Sequence, residues 1–122
     1  MKASALISVV DDDVSIRESL PALLQVLGYE TRVFASAAEF LESDAVGKTD
    51  CLILDAELPD ATGPELHAEL RRLPTSTPVV LITAGAGEEV RPELLRVGAI
   101  ACLFKPFTDS ALEEAIQRAL AI

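Results

Sequence analysis

Cys51-Leu52-Ile53-Leu54-Asp55 is a run of four apolar residues that ends in a single acid. The residues that follow, Ala56-Glu57-Leu58-Pro59-Asp60-Ala61-Thr62-Gly63, are rich in turn formers and cannot continue a strand. A short unbroken apolar run bounded by turn residues reads as a strand covered on both faces, as in a parallel sheet. Open α/β sheets hold their ligands outside the carboxyl ends of the strands. Asp55 therefore falls on the rim where chemistry belongs. An Asp after a strand is also a common turn former or helix cap, so the other strand ends must decide between the two readings.

Upstream, Leu6 to Val10 is another apolar run and ends in Asp11-Asp12-Asp13. Ile16, Leu20, Leu23, Leu24 and Leu27 then fall at the spacing of one helix face. Gly28 is placed to close that helix in the left-handed conformation, and Pro21 in its interior is expected to kink it. Glu30 to Ala35 reads as a second strand. Ser36-Ala37-Ala38-Glu39 has the capping-box pattern and starts a helix with Phe40 and Leu41 on its apolar side.

Downstream of the central run, Pro64 suits the first turn of a third helix, with Leu66, Leu70 and Leu73 at helical spacing. Pro74 to Pro78 interrupts the chain, and Val79-Val80-Leu81-Ile82-Thr83 is a fourth buried strand. A glycine-rich segment, Ala84 to Gly87, leads to a fourth helix over Glu88 to Val97. Ala101 to Phe104 is a short fifth strand, followed by Lys105-Pro106. Leu112, Ala115, Ile116, Ala119 and Leu120 line a final helix. Five strands alternating with five helices call for a parallel sheet with helices on both faces and right-handed crossovers. The flavodoxin-like strand order 2-1-3-4-5 fits the length. In that order strands 1 and 3 are neighbours, so Asp11, Asp12 and Asp55 converge.

The chain's 122 residues suit one domain over 1–122. Half of them are apolar, yet no run approaches the roughly 20 residues that span a bilayer. The apolar opening lacks a small-residue cleavage site and meets three aspartates at once. It reads as a first strand, and the protein as cytoplasmic without a membrane association. A formal charge of −10 repels phosphate backbones, which argues against direct binding of nucleic acid by this domain. Cys51 and Cys102 lie in apolar strand runs at no metal-ligand spacing and read as small apolar residues.

Carboxylates packed together repel one another unless a cation sits among them. Hard oxygen donors at this density suit Mg²⁺, which prefers a few carboxylates together with phosphate oxygens. Strand 4 ends in a hydroxyl, Thr83, and strand 5 leads to an ammonium, Lys105. Acids, metal, hydroxyl and ammonium together make a phosphoryl-transfer site in which Asp55 is the nucleophile. Taken singly, the acid cluster is a helix start, Thr83 a β-former and Lys105 a surface lysine. Their arrival at four strand ends around one switch point favours the site.

Val9-Val10-Asp11-Asp12-Asp13, Leu52 to Gly63, Leu81-Ile82-Thr83-Ala84 and Lys105-Pro106-Phe107 resemble the receiver domain of two-component response regulators, over nearly the whole chain. The chain is most similar to the nitrogen-fixation regulator branch. The separations agree with that family's layout: 43 residues from Asp12 to Asp55, 28 on to Thr83 and 22 on to Lys105. The resemblance implies that Asp55 is a phosphoacceptor served by a histidine kinase. It implies that Asp12, Asp55 and the backbone carbonyl of Glu57 ligate Mg²⁺ directly, with Asp11 acting through water. Thr83 and Lys105 would contact the phosphoryl oxygens, and the Lys105–Pro106 peptide is expected cis. The surface of the fourth helix, fifth strand and fifth helix would switch, and a second copy of the chain is a candidate partner there.

Two positions depart from the family. An aromatic usually stands three residues before the lysine, where this chain has Cys102, and the loop after Thr83 is about one residue longer and glycine-rich. A cysteine is too small to fill the space the aromatic takes on activation. Two expectations follow: signalling relies on Thr83 and the Ala84–Gly87 segment, with Phe104 as a fixed apolar contact on the same face as Cys102, or Cys102 simply packs and this receiver switches weakly. Two rival readings use related chemistry. A haloacid-dehalogenase-like phosphatase also forms an aspartyl phosphate beside Mg²⁺, but its nucleophile belongs to an Asp-x-Asp motif on strand 1, and Asp55-Ala56-Glu57 imitates that weakly. A flavin or nucleotide module needs a phosphate loop after strand 1, where Asp11-Asp12-Asp13 would repel the anion.

Overall fold

A computed structural model describes residues 4–58, 60–61, 63–71, 77–83 and 99–121. Five strands make one sheet: β1 (Leu6–Val10), β2 (Glu30–Phe34), β3 (Cys51–Asp55), β4 (Val79–Thr83) and β5 (Ala101–Phe104). Their order is β2-β1-β3-β4-β5, and every neighbouring pair is parallel. This is the doubly wound arrangement expected. Val10 lies beside Leu54, so the residues just past β1 and β3 meet at one place on the rim.

Side-chain alternation divides the core in two. Val10, Leu52, Leu54 and Leu81 face Phe34, Phe40 and Leu66 on one side. Ile7, Val9, Ile53, Val80 and Ile82 face Leu20, Leu24, Leu112 and Ile116 on the other. Every residue of β3 and β4 is buried, as a strand covered on both faces requires. β2 ends at Phe34, one residue before the expected Ala35.

Helix α1 (Val14–Val26) starts where the Asp13 carboxylate accepts the Ser15 amide at 2.9 Å. It runs through Pro21 and ends as foreseen at Gly28, whose φ is 96°. The Gly28 amide donates to the Gln25 carbonyl at 3.0 Å and the Tyr29 amide to that of Leu24 at 2.9 Å. This is the paired closure that a left-handed residue permits. An added Cβ at Gly28 would meet nothing within 4 Å, so backbone conformation rather than crowding calls for glycine.

Helix α2 (Ala37–Leu41) realises its capping box. The Glu39 amide donates to Ser36 Oγ at 3.1 Å, and Glu39 Oε1 accepts the Ala35 amide at 3.1 Å. Phe40 is buried edge-on to Phe34, with ring centroids 5.3 Å apart. Leu41, expected on the same apolar side, is 38% exposed. Adjacent helix positions diverge too far for both to face the core of so short a helix. A 3₁₀ turn, Asp44–Gly47, follows it and buries Ala45; nothing in the apolar spacing announced that turn.

Helix α3 (Gly63–Leu70) carries Pro64 in its first turn and buries Leu66. The C-terminal helix (Asp109–Leu120) is capped by Thr108 and buries Leu112, Ala115, Ile116 and Ala119, as its spacing required. The helix expected over Glu88 to Val97, the segment Ala84 to Gly87, and Leu73 lie outside the described residues. Among the described residues, no helix is long and apolar enough to cross a membrane.

Candidate functional site

The three consecutive aspartates after β1 have three different environments. Asp11 is fully buried, and its amide extends the β1–β2 ladder by donating to the Phe34 carbonyl at 3.1 Å. Asp11 Oδ1 accepts the Asp13 amide at 2.8 Å, which folds the turn back over the strand end. Arg17, one turn into α1, donates from Nη1 to the Asp11 carbonyl at 3.0 Å. Asp12 is exposed, and Asp13 caps α1 as described.

At the end of β3, Asp55 is 4% exposed and its Oδ1 accepts the Glu57 amide at 2.9 Å. The Ala56 amide continues the ladder to the Ile82 carbonyl at 2.8 Å. Asp11, Asp12 and Asp55 each place one carboxylate oxygen within 4.8 Å of the others'. At the end of β4, Thr83 is 5% exposed, and its carbonyl accepts the Lys105 amide at 2.8 Å. That bond seats Lys105 beside the acids, and the Lys105–Pro106 peptide is cis. Lys105 Nζ lies 3.1 Å from Asp11 Oδ2 and 4.0 Å from Asp13 Oδ2. The nearer approach is an ion pair not aligned as a hydrogen bond, which leaves Asp11 Oδ2 buried without a donor.

The electrostatics follow from burial and crowding. Burial pushes the Asp55 carboxyl up to about 7; the Glu57 amide opposes the rise, Asp11 adds to it and Lys105 reduces it. Burial works against the Lys105 ammonium, but Asp11 foremost, then Asp55 and Asp13, outweigh it and raise the lysine's pKa. One ammonium faces three converging carboxylates, one of which has a buried oxygen lacking a donor. The donors are all hard oxygens, the set that suits a small divalent cation such as Mg²⁺. These residues fit that ion.

Asp11, Asp12, Asp55 and Lys105 thus come together as the sequence suggested. Thr83 stands at the adjacent strand end, its register partner Phe104 immediately preceding Lys105. Glu57 is exposed and tied to Asp55 through its amide. Cys102 is half-buried against the cluster that holds Phe40 and Leu66, and Phe104, of the same parity along β5, is also half-buried. Two polar residues escaped sequence reading. Arg17 looks like surface charge because its partner is a backbone carbonyl, and Asp60 looks like a turn former, although its carboxylate reaches Ala37 and Ala38.

The family model described as the response regulator receiver domain matches residues 7–117. Nodulation protein W of Bradyrhizobium diazoefficiens is 38% identical over 112 residues, covering 92% of this chain and 49% of that protein. The transcriptional regulatory protein FixJ of Rhizobium meliloti is 32% identical, covering 93% of this chain and 55% of that one. The crystal structure of FixJ-N superposes with a TM-score of 0.85 at 30% identity, covering 99% of this chain and 96% of that one. The chain spans about half the length of these curated relatives. The family found is the receiver's and not that of the dehalogenase-like phosphatases. The chain belongs to the response regulator receiver domain family, close to the nitrogen-fixation and nodulation regulators, and is a phosphoacceptor signalling domain of the two-component type.

Proposed function

We propose that Asp55 is the phosphoacceptor of this domain and that a histidine kinase is its donor. The observation that carries this reading is the 4.8 Å convergence of Asp11, Asp12 and Asp55 oxygens, with Lys105 Nζ 3.1 Å from Asp11. Asp12, Asp55 and the Glu57 carbonyl would hold Mg²⁺, with Asp11 supporting it through water. When bound, the metal neutralises charge on the phosphoryl oxygens and on the acids. An Asp55 carboxylate oxygen attacks phosphorus; the P–O bond to Asp55 forms as the P–N bond to the kinase imidazole breaks. Lys105 and the Thr83 hydroxyl take the phosphoryl oxygens, and the Lys105 ammonium, which faces Asp11 and Asp13 beforehand, then also balances the phosphoryl charge.

In this reading residues 1–122 are one receiver domain, cytoplasmic, without contact to membrane or nucleic acid, and not an enzyme in its own right. Its partners are the kinase and, through the β5 side of the sheet and the C-terminal helix, a second copy of the chain. Incubation with a small phosphodonor and Mg²⁺ should add one phosphoryl group per chain, and Asp55→Asn should abolish the addition. Labelling that survives in Asp55→Asn would sink the assignment.

A further inference from the structure

The loop from β3 to α3 carries Asp55 at its start and Glu57 two residues on, and it is tied to a distant part of the fold. Both Asp60 carboxylate oxygens accept backbone amides at the start of α2: Oδ1 from Ala37 at 3.2 Å and Oδ2 from Ala38 at 3.0 Å. The amide of Ala38, then that of Ala37, hold the Asp60 carboxyl below the usual range although it is exposed.

A helix start leaves its first amides without internal partners. In α2 each of them is accounted for. Ala37 and Ala38 donate to Asp60, Glu39 to Ser36 Oγ at 3.1 Å, and Phe40 to the Ser36 carbonyl at 3.3 Å. Ser36 therefore satisfies the helix locally, whereas Asp60 satisfies it from 22 to 23 residues away. The loop is fixed at three points. The Glu57 amide is bound to Asp55, the Leu58 side chain is buried with Phe34 and Phe40, and Asp60 is bound to α2. The last two hold the loop against β2 and α2, so the stretch that carries the Glu57 carbonyl keeps its place through Leu58 and Asp60 together, and releasing Asp60 loosens it while leaving the site carboxylates untouched.

We propose that Asp60 is a positioning residue for the metal-holding loop: the two hydrogen bonds it accepts from the start of α2 fix the stretch that carries the Glu57 carbonyl. This rests on the reading of Asp55 and Glu57 as Mg²⁺ ligands. Asp60 itself is not a ligand and touches no reacting group. Its effect is on affinity through the loop's conformational freedom, since an untethered loop must be ordered when the ion binds.

The test is Mg²⁺ affinity by calorimetry on the full chain, well below each variant's unfolding temperature, alongside thermal stability. Asp60→Ala is expected to weaken Mg²⁺ about tenfold, the low end of what outer partners of metal ligands contribute. Asp60→Asn keeps one accepting oxygen and should recover part of that loss. Ser36→Ala loosens the same helix end without touching the tether, and should lower stability while leaving Mg²⁺ affinity unchanged. Asp55→Asn should weaken binding more than any of these. If Asp55→Asn weakens binding but Asp60→Ala does not, or if Ser36→Ala weakens it as much as Asp60→Ala, the positioning role is overturned and the site reading stands. If Asp55→Asn leaves affinity unchanged, the site reading falls and takes this one with it.

Discussion

Asp11, Asp12 and Asp13 are adjacent and chemically identical, and burial and geometry give them different roles. Asp13 directs Oδ1 to the Ser15 amide and Asp11 is buried against Lys105, which leaves exposed Asp12 the most accessible to an incoming ion. Asp12→Ala should therefore weaken Mg²⁺ binding more than Asp13→Ala. Asp13→Ala should instead cost about 1 kcal/mol of stability, the usual loss for a helix cap. Titration calorimetry and urea unfolding of both variants separate the two effects, and equal losses of Mg²⁺ affinity would mean the acid register is off by one. Lys105 partly neutralises the acids it faces. Lys105→Ala should leave Mg²⁺ affinity intact or tighten it, because repulsion between ion and ammonium is removed. Phosphorylation from a small donor should slow in the same variant, and a marked fall in affinity would contradict the assigned role.

The elements around the site owe their positions to small polar devices as much as to apolar faces. The 3₁₀ turn is joined to the edge strand β2 by Asp44, whose carboxylate accepts Arg32 Nη1 at 2.7 Å and Lys48 Nζ at 2.9 Å. Arg32 first, then Lys48, lowers the Asp44 carboxyl from 3.8 to about 2. An acid whose pKa falls on folding adds stability above its unfolded value and loses it as pH drops through the folded one. Between pH 3.8 and about 2, the parent's stability should fall more steeply than that of Asp44→Asn. The groups are exposed, so the difference is small and should shrink at about 1 M salt. Acid unfolding followed by circular dichroism at low and high salt checks both the slope and its screening; parallel curves at low salt would contradict the assignment.

At the scale of the whole molecule, β5 belongs both to the site and to the faces of the sheet. β5 contributes to both: Lys105 follows its end, Ala101 and Leu103 pack against the cluster holding Leu112 and Ile116, and Cys102 packs on the opposite side. A cysteine cannot sweep out the volume an inward-turning aromatic would, which leaves Phe104 as the larger apolar side chain of that parity along β5. With a phosphoryl mimic at Asp55, self-association measured by analytical ultracentrifugation should rise, and Phe104→Ala should reduce it. Association untouched by Phe104→Ala would remove that residue from the interface.

The sequence by itself determined the sheet and the rim. Short apolar runs at Leu6 to Val10, broken only by Ser8, at Cys51 to Leu54 and at Val79 to Ile82, each bounded by turn residues or acids, read as strands covered on both faces. Once their order is that of a doubly wound sheet, the acids, Thr83 and Lys105 must gather at one end. Local signals such as the capping box at Ser36 and the closing Gly28 were legible for the same reason: each acts within a few residues of itself. Tertiary structure decided which backbone group or neighbour a given side chain meets. The exposure of Leu41, the bond from Arg17 to the Asp11 carbonyl and the tie from Asp60 to Ala37 and Ala38 leave no periodic trace. Backbone amides and carbonyls are the same at every position, so which of them meets a given side chain is settled only when the strands and helices are packed.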